Sequence, residues 1–266
     1  GELTPLNGDS TSEPFMNEVP LGDPVLGARN RTSESLYDYG SRVGFWRIAR
    51  LFEERKMPMT VFAVGRALEL NPEAGAACAE LGYEVAGHGF RWIDYRNVAE
   101  ETERQHISRT VEMIEQTTGE PPVGWFTGRV SPNTRRLVVE HGGFLYDSDA
   151  YDDDLPYWVR VSDRNHLIVP YTFDANDMKF TVTPGFASND DFTQYLIDAF
   201  DMLYSEGTDA PRMLSVGLHC RVVGRPARAT ALERFLDHVA SHDRTWVCTR
   251  EQIARHWHLH HGPDDG

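Results

Sequence analysis

The chain is poor in cysteine, in lysine and in unbroken apolar sequence. Cys78, Cys220 and Cys248 are its three cysteines, odd in number and far apart. That argues against a disulfide framework and a CxxC zinc site, and it fits a reducing compartment. Lysine occurs only at Lys56 and Lys179, so cationic chemistry falls to arginine. Lys plus Arg total 26 against 41 Asp plus Glu, a formal net charge of −15. Phosphates would be repelled, so neither nucleic acid nor an anionic membrane is expected as a partner. No apolar run approaches the ~20 residues that a bilayer-spanning helix needs. Gly1-Glu-Leu-Thr-Pro5 carries neither a basic segment nor an apolar core. No secretory leader is therefore expected, and the expected location is cytoplasmic.

What remains is an α/β pattern in 266 residues, enough for one large domain, 1–266, with a substantial core. Residues 1–31, rich in Gly, Pro, Asn and Asp, read as mostly loop, and 259–266 as a tail. Between them, helical stripes alternate with strand-length apolar runs. Val43, Trp46, Ala49 and Phe52 form one helical face. Met59–Val64, Tyr83–Ala86, Val123–Thr127, Phe144–Tyr146, His166–Thr172, Met213–Leu218 and Thr245–Cys248 read as strands. Helices are predicted over Asn71–Leu81, Glu100–Thr118, Asp190–Glu206, Ala227–Ser241 and Arg250–His258. Such spacing implies parallel strands with right-handed crossovers. Seven strands point to a distorted (β/α) barrel rather than an open sheet.

Polar residues recur where strands end. His88, Arg129, Asp147, Asp149, Asp174, Asp177 and His219 all fall there, the end that holds active sites in barrels. His219 is the strongest candidate, suited to acid–base work because imidazole titrates near neutrality. Arg129 suits a carboxylate or a developing oxyanion. It could equally pair with Asp147 or Asp149. A second imidazole four residues after His88 would make a metal site, but that position is Trp92, an apolar wall with one N–H donor. Cys220 next to His219 is a poor nucleophile candidate, because adjacent strand residues point apart. The run His256-Trp-His-Leu-His-His261 suits a helix C-terminus and surface tail better than a metal tract.

Several of these stretches together resemble the polysaccharide deacetylase (NodB-homology) superfamily. They are His88-Gly-Phe-Arg-Trp-Ile-Asp-Tyr95, Gly124–Arg129, Ser131-Pro-Asn-Thr-Arg-Arg136 and Leu145–Asp149. Leu155-Pro-Tyr-Trp158, Tyr171–Met178 and Leu214–Arg221 narrow the resemblance to its cofactor-independent allantoinase branch, the PuuE type. The resemblance implies hydrolytic opening of the hydantoin ring of (S)-allantoin to allantoate, in a homo-oligomer with a small-molecule, allantoin-like substrate. It casts His219 as the proton donor to the leaving group and matches Arg129 to the family's third-motif arginine. His88, Trp92, Asp149, Asn176 and Asp177 are then candidates to shape the pocket and bind substrate. No metal is expected, since Trp92 stands where the second histidine ligand of a deacetylase would be. The alternative is a Zn or other divalent-metal polysaccharide or peptidoglycan deacetylase, and a further one is a catalytically impaired binding protein of the same fold. The family's first strand, with its acidic general base, is expected to precede Gly1.

Overall fold

A computed structural model describes residues 31–263. The expected loop 1–31 lies outside them save Arg31, as do the strand expected before Gly1 and the last three residues of the expected tail. By its internal contacts the described chain forms two compact units, 58–171 with 248–263 and 31–57 with 172–247.

The first unit is an α/β layer. A six-stranded sheet runs β1 (Thr60–Ala63), β2 (Glu84–Gly87), β3 (Gly124–Trp125), β4 (Tyr146–Asp147), β6 (Arg164–Ile168), β5 (Tyr157–Val161). All pairs are parallel except the β5–β6 hairpin. Helices α3 (Gly65–Leu70), α4 (Pro72–Glu80), α5 (Glu100–Thr118) and α6 (Thr134–His141) connect the parallel strands. α5 carries Glu100, Glu101 and Glu103 in its first turn, which suits the positive end of the helix. Its opposite stripe buries Ile107 against Trp125, Leu137 and Val138, and Ile114 against Ala63 and Leu68.

Beyond the strands, helix α9 (Arg250–His260) starts from a capping box between Thr249 and Gln252. Its first turn closes over a buried polar knot. Glu84 accepts hydrogen bonds from Thr60 Oγ1 (2.6 Å), Tyr146 OH (2.6 Å) and the Glu251 N–H (2.9 Å). Burial pushes the Glu84 carboxyl upward against those bonds. The buried Arg250 guanidinium donates to Ser148 Oγ (2.9 Å), Val169 O (2.8 Å) and Pro170 O (3.1 Å). It has no carboxylate among these partners, and burial lowers its affinity for the proton.

The second unit is mainly helical: α1 (Arg31–Tyr39), a π-turn at Gly40–Gly44, α2 (Phe45–Glu54), α7 (Asn189–Glu206) and α8 (Pro226–Ala240). Ser188 and Asp191 form a capping box that starts α7. Arg55 joins α2 to α8 through Asp237 (2.7 Å) and Glu233 (3.3 Å).

Three expectations change. The buried face of α2 is Phe45, Ile48, Ala49 and Phe52, while Val43 is exposed; the wider π-turn shifts the phase that an uninterrupted 3.6-residue period would keep. Met213–Leu218 makes a single parallel bridge, Gly217 to Asn176. Thr245–Cys248 forms no strand, and its Trp246 is exposed. Conversely β5 is a strand that the pattern missed. It turns into β6 through Ser162-Asp163, with Ser162 at φ 54° and without the glycine that usually marks such a turn.

Candidate active site

In the sheet-bearing unit, the carboxyl ends of three adjacent parallel strands carry His88, Phe126–Arg129 and Asp147–Asp149. The ladder continues one residue past each strand: Phe126 N–H donates to Gly87 O (2.9 Å) and Ser148 N–H to Trp125 O (2.8 Å). The strands come this close because glycines stand at the contacts. A Cβ on Gly87 would lie 2.4 Å from the Trp125 ring. Gly87 therefore lets the Trp125 ring lie against the β2 backbone.

His88 Nδ1 lies 2.5 Å from the Phe126 carbonyl oxygen. That oxygen can only accept, so Nδ1 carries the proton and the neutral ring holds its lone pair on Nε2. The imidazole stacks on Phe126 (centroids 5.3 Å, 14° between planes), and Phe126 stacks on Tyr171 (4.8 Å, 4°). Phe62 packs beside all three rings, and Arg250 lies 5.6 Å from the Phe62 centroid and 5.4 Å from that of Tyr171. His88 is thus held in one orientation by a bond and a stack.

Asp149 acts on the next strand end. Its carboxylate accepts the Thr127 N–H (2.9 Å) and the Gly128 N–H (2.6 Å). Gly128 sits at φ 72°, which a side chain would resist. This turn delivers Arg129, whose guanidinium carbon lies 3.7 Å from the Trp92 ring centroid. Asp147 beneath is held by Arg135 Nε (2.9 Å) and His166 Nε2 (3.1 Å). Burial raises the Asp147 pKa, but those partners outweigh it and keep the group ionised. Burial and the Asp147 charge then push Asp149 up to about 7, against the backbone N–H bonds that favour its anion. The ion pair to Asp147 that was open to Arg129 is made by Arg135.

A deacetylase-type metal needs a second imidazole here. Trp92 has no in-plane lone pair to offer, and its ring face is covered by a guanidinium cation. Among the described residues of this strand end, the donor set does not fit such a metal.

In the helical unit, His219 and Asp177 form a dyad. Asp177 is fully buried and accepts three hydrogen bonds: the His219 N–H (2.8 Å) and Val223 N–H (3.0 Å) at Oδ2, and His219 Nδ1 (2.7 Å) at Oδ1. An ionised carboxylate accepts only, so Nδ1 bears the proton and Nε2 is the basic nitrogen. Burial lowers the His219 pKa, and the Asp177 charge opposes it. Asp177 therefore positions His219; with its carboxylate covered, it is not the substrate contact expected from its strand-end place. Asn176 Oδ1 accepts the Met178 N–H (2.9 Å), capping the 3₁₀ turn Asp177–Phe180. Cys220 follows His219, and burial pushes its thiol upward, which disfavours a nucleophilic thiolate.

Sequence reasoning thus reached both histidines, Arg129, Trp92 and the acidic groups. It gave no role to Arg135, His166, Phe126 or Tyr171. Arg135, Phe126 and Tyr171 stand inside the quoted motifs, so position alone was a usable signal. His166 reads as an ordinary strand residue.

A mostly parallel α/β layer with polar strand ends defines a class, proteins of the NodB-type α/β fold. The polysaccharide deacetylase family model matches residues 28–142. A provisionally named polysaccharide deacetylase of Schizosaccharomyces pombe is 45% identical over 98% of this chain and 87% of its own length. Among solved structures, a provisionally named polysaccharide deacetylase of Pseudomonas aeruginosa PAO1 is 54% identical (TM-score 0.91, 93% of this chain and 83% of that one). PuuE allantoinase is 49% identical (TM-score 0.91, 97% and 88%). The chain belongs to the polysaccharide deacetylase family.

Proposed function

We propose that this chain is a metal-independent amidohydrolase of cyclic amides that opens the hydantoin ring of (S)-allantoin to allantoate. The observation that carries the reading is the Arg129–Trp92 pair standing where a second metal-binding histidine would have to be. The 49% identity to PuuE allantoinase over 97% of this chain supports the substrate.

Each role follows from the residue's own chemistry. Water adds to a ring carbonyl and the ring C–N bond breaks; hydroxide stays on carbon and a proton goes to nitrogen. His219, held neutral at rest by burial, carries that proton on Nε2, and Asp177 stabilises the transient imidazolium. Arg129 offers its planar donor fork to oxygen that gains charge. His88, Trp92 and the Asp149-held turn shape the surface that meets the substrate.

The test is incubation of chelator-treated protein with (S)-allantoin, following allantoate by NMR. Turnover that survives chelation is expected. The names of the two deacetylase-like relatives favour a second reading, a metal-dependent deacetylase of N-acetylated polysaccharide. Acetate release from acetylated chito-oligosaccharide that requires Zn²⁺, with no allantoin turnover, would establish that reading and overturn the first.

A further inference from the structure

The histidine-rich tract at the end of α9 is the sequence's most obvious metal lure, yet the geometry gathers donors elsewhere. Among the described residues, the group of His, Cys, Asp or Glu side chains close enough to share an ion is Asp201, His238 and His242, with ligand atoms all within 4.8 Å of one another. Asp201 comes from α7. His238 lies in the last turn of α8, and His242 follows two residues past its end.

We propose that these three residues form a first-row divalent-cation site that takes Zn²⁺. Two imidazoles and one carboxylate, with water in the fourth position, are a common Zn²⁺ donor set. His238 and His242 are four apart across the end of α8, and their ring centroids lie 4.6 Å apart. His238 Nε2 already lies 2.7 Å from Asp201 Oδ1. His242 Nδ1 lies 2.8 Å from the His238 carbonyl oxygen, which fixes the tautomer. The lone pair of the neutral ring is then on Nε2, and anchoring of the other nitrogen by a carbonyl is how metal-binding imidazoles are usually oriented. Phe200 packs edge-on against both rings (5.5 and 5.0 Å), and Tyr204 against His242 (4.8 Å), so neither ring is a loose surface side chain.

The required movement is small. Tetrahedral Zn²⁺ with bonds of about 2.0–2.1 Å separates its ligand atoms by about 3.4 Å. The His238–Asp201 hydrogen bond would open slightly as the ion replaces its proton, and the third donor would move in. The ion would link α7 to the end of α8, which already pack together, so binding stabilises the helical unit by mass action. Nothing in this site depends on the hydrolytic reading.

The test titrates metal-free protein with Zn²⁺ by calorimetry and records the melting temperature with and without the ion. One equivalent should bind and raise the melting temperature, while Mg²⁺ should do neither. His238→Asn and His242→Asn should each weaken binding at least tenfold. Asp201→Asn, at an exposed position that folding tolerates, should weaken it less. A double change, His256→Asn with His260→Asn in the terminal tract, should leave this equivalent intact. Absence of Zn²⁺ binding, binding unaffected by all three site changes, or binding lost with the terminal pair would each overturn the proposal.

Discussion

Replacing Asp177 by asparagine separates the positioning of His219 from the folding of its loop. Oδ2 of Asp177 accepts two backbone N–H groups, from His219 and Val223, while Oδ1 faces His219 Nδ1. An asparagine must keep its carbonyl oxygen toward the two backbone donors, because turning the amide over would bury two orphaned N–H groups. Its NH₂ then faces Nδ1 and donates to it. The imidazole must accept there, so its proton moves to Nε2, the nitrogen that has to carry the transferred proton. The same exchange in a Ser-His-Asp triad lowers kcat about 10⁴-fold for this reason. A loss of about 10³–10⁴ in allantoin turnover is expected here, or about 4–5.5 kcal/mol of barrier. Stability should fall by only about 1–2 kcal/mol, since neutral bonds replace charge-assisted ones. Asp177→Ala leaves three buried donors unpaired and should cost about 3–6 kcal/mol. Long-range ¹H–¹⁵N correlation spectra report the tautomer without any turnover: Nδ1–H in the parent and Nε2–H in Asp177→Asn. An unchanged tautomer, or a stability loss equal to that of Asp177→Ala, would refute the reasoning.

Asp149→Asn tests the raised carboxyl that follows β4 and holds the β3–α6 turn. With the folded pKa near 7 and the unfolded value near 3.8, the folded protein holds the extra proton between those limits, so stability falls as pH rises from about 4 to 7. The variant should flatten that slope in urea-denaturation titrations and gain on the order of 2–4 kcal/mol over the parent at pH 8. Arg250→Lys replaces a planar fork that reaches three buried acceptors with a single ammonium, and should lower the urea midpoint by an amount equal to about 2–4 kcal/mol. Gly124→Ala would place its Cβ 2.2 Å from the Tyr146 ring; a loss of about 1–3 kcal/mol or more is expected by thermal melting.

Much of the sheet-bearing unit was readable because it obeys local rules. The helix predicted over Glu100–Thr118 is α5 over the same residues, with Ile107 and Ile114 on its buried face. Pro72 opens α4, and Gly119 caps α5 at φ 90°, the positions where such residues are favoured. The misses have physical causes. A strand buried by its neighbours and a half-exposed extended segment have the same apolar composition, so Met213–Leu218 looked like a strand though only Gly217 bridges. β5 was hidden because its turn, Ser162-Asp163, uses a positive φ without glycine. The π-turn at Gly40–Gly44 moved a helical face by a fraction of a turn, and the sequence period does not signal such a shift.

The site was legible by residue and only partly by role. Strand-end position picked out His88, Arg129, Asp149, Asp177 and His219, but position does not say which side of a hydrogen bond a group takes. Asp177 looked like a substrate contact until its three donors showed that both its oxygens are occupied with shaping His219. Trp92 carried a different kind of information. As a sequence symbol it marked a missing imidazole; in the structure its ring face receives Arg129 at 3.7 Å. An indole offers no in-plane lone pair, and its face seats the Arg129 cation. The absence of an in-plane donor and the seat for the Arg129 guanidinium are therefore two properties of one side chain. Trp92→Ala should release Arg129 and raise KM with little change in the melting temperature, whereas a tryptophan that merely fills space would lower the melting temperature and leave KM alone.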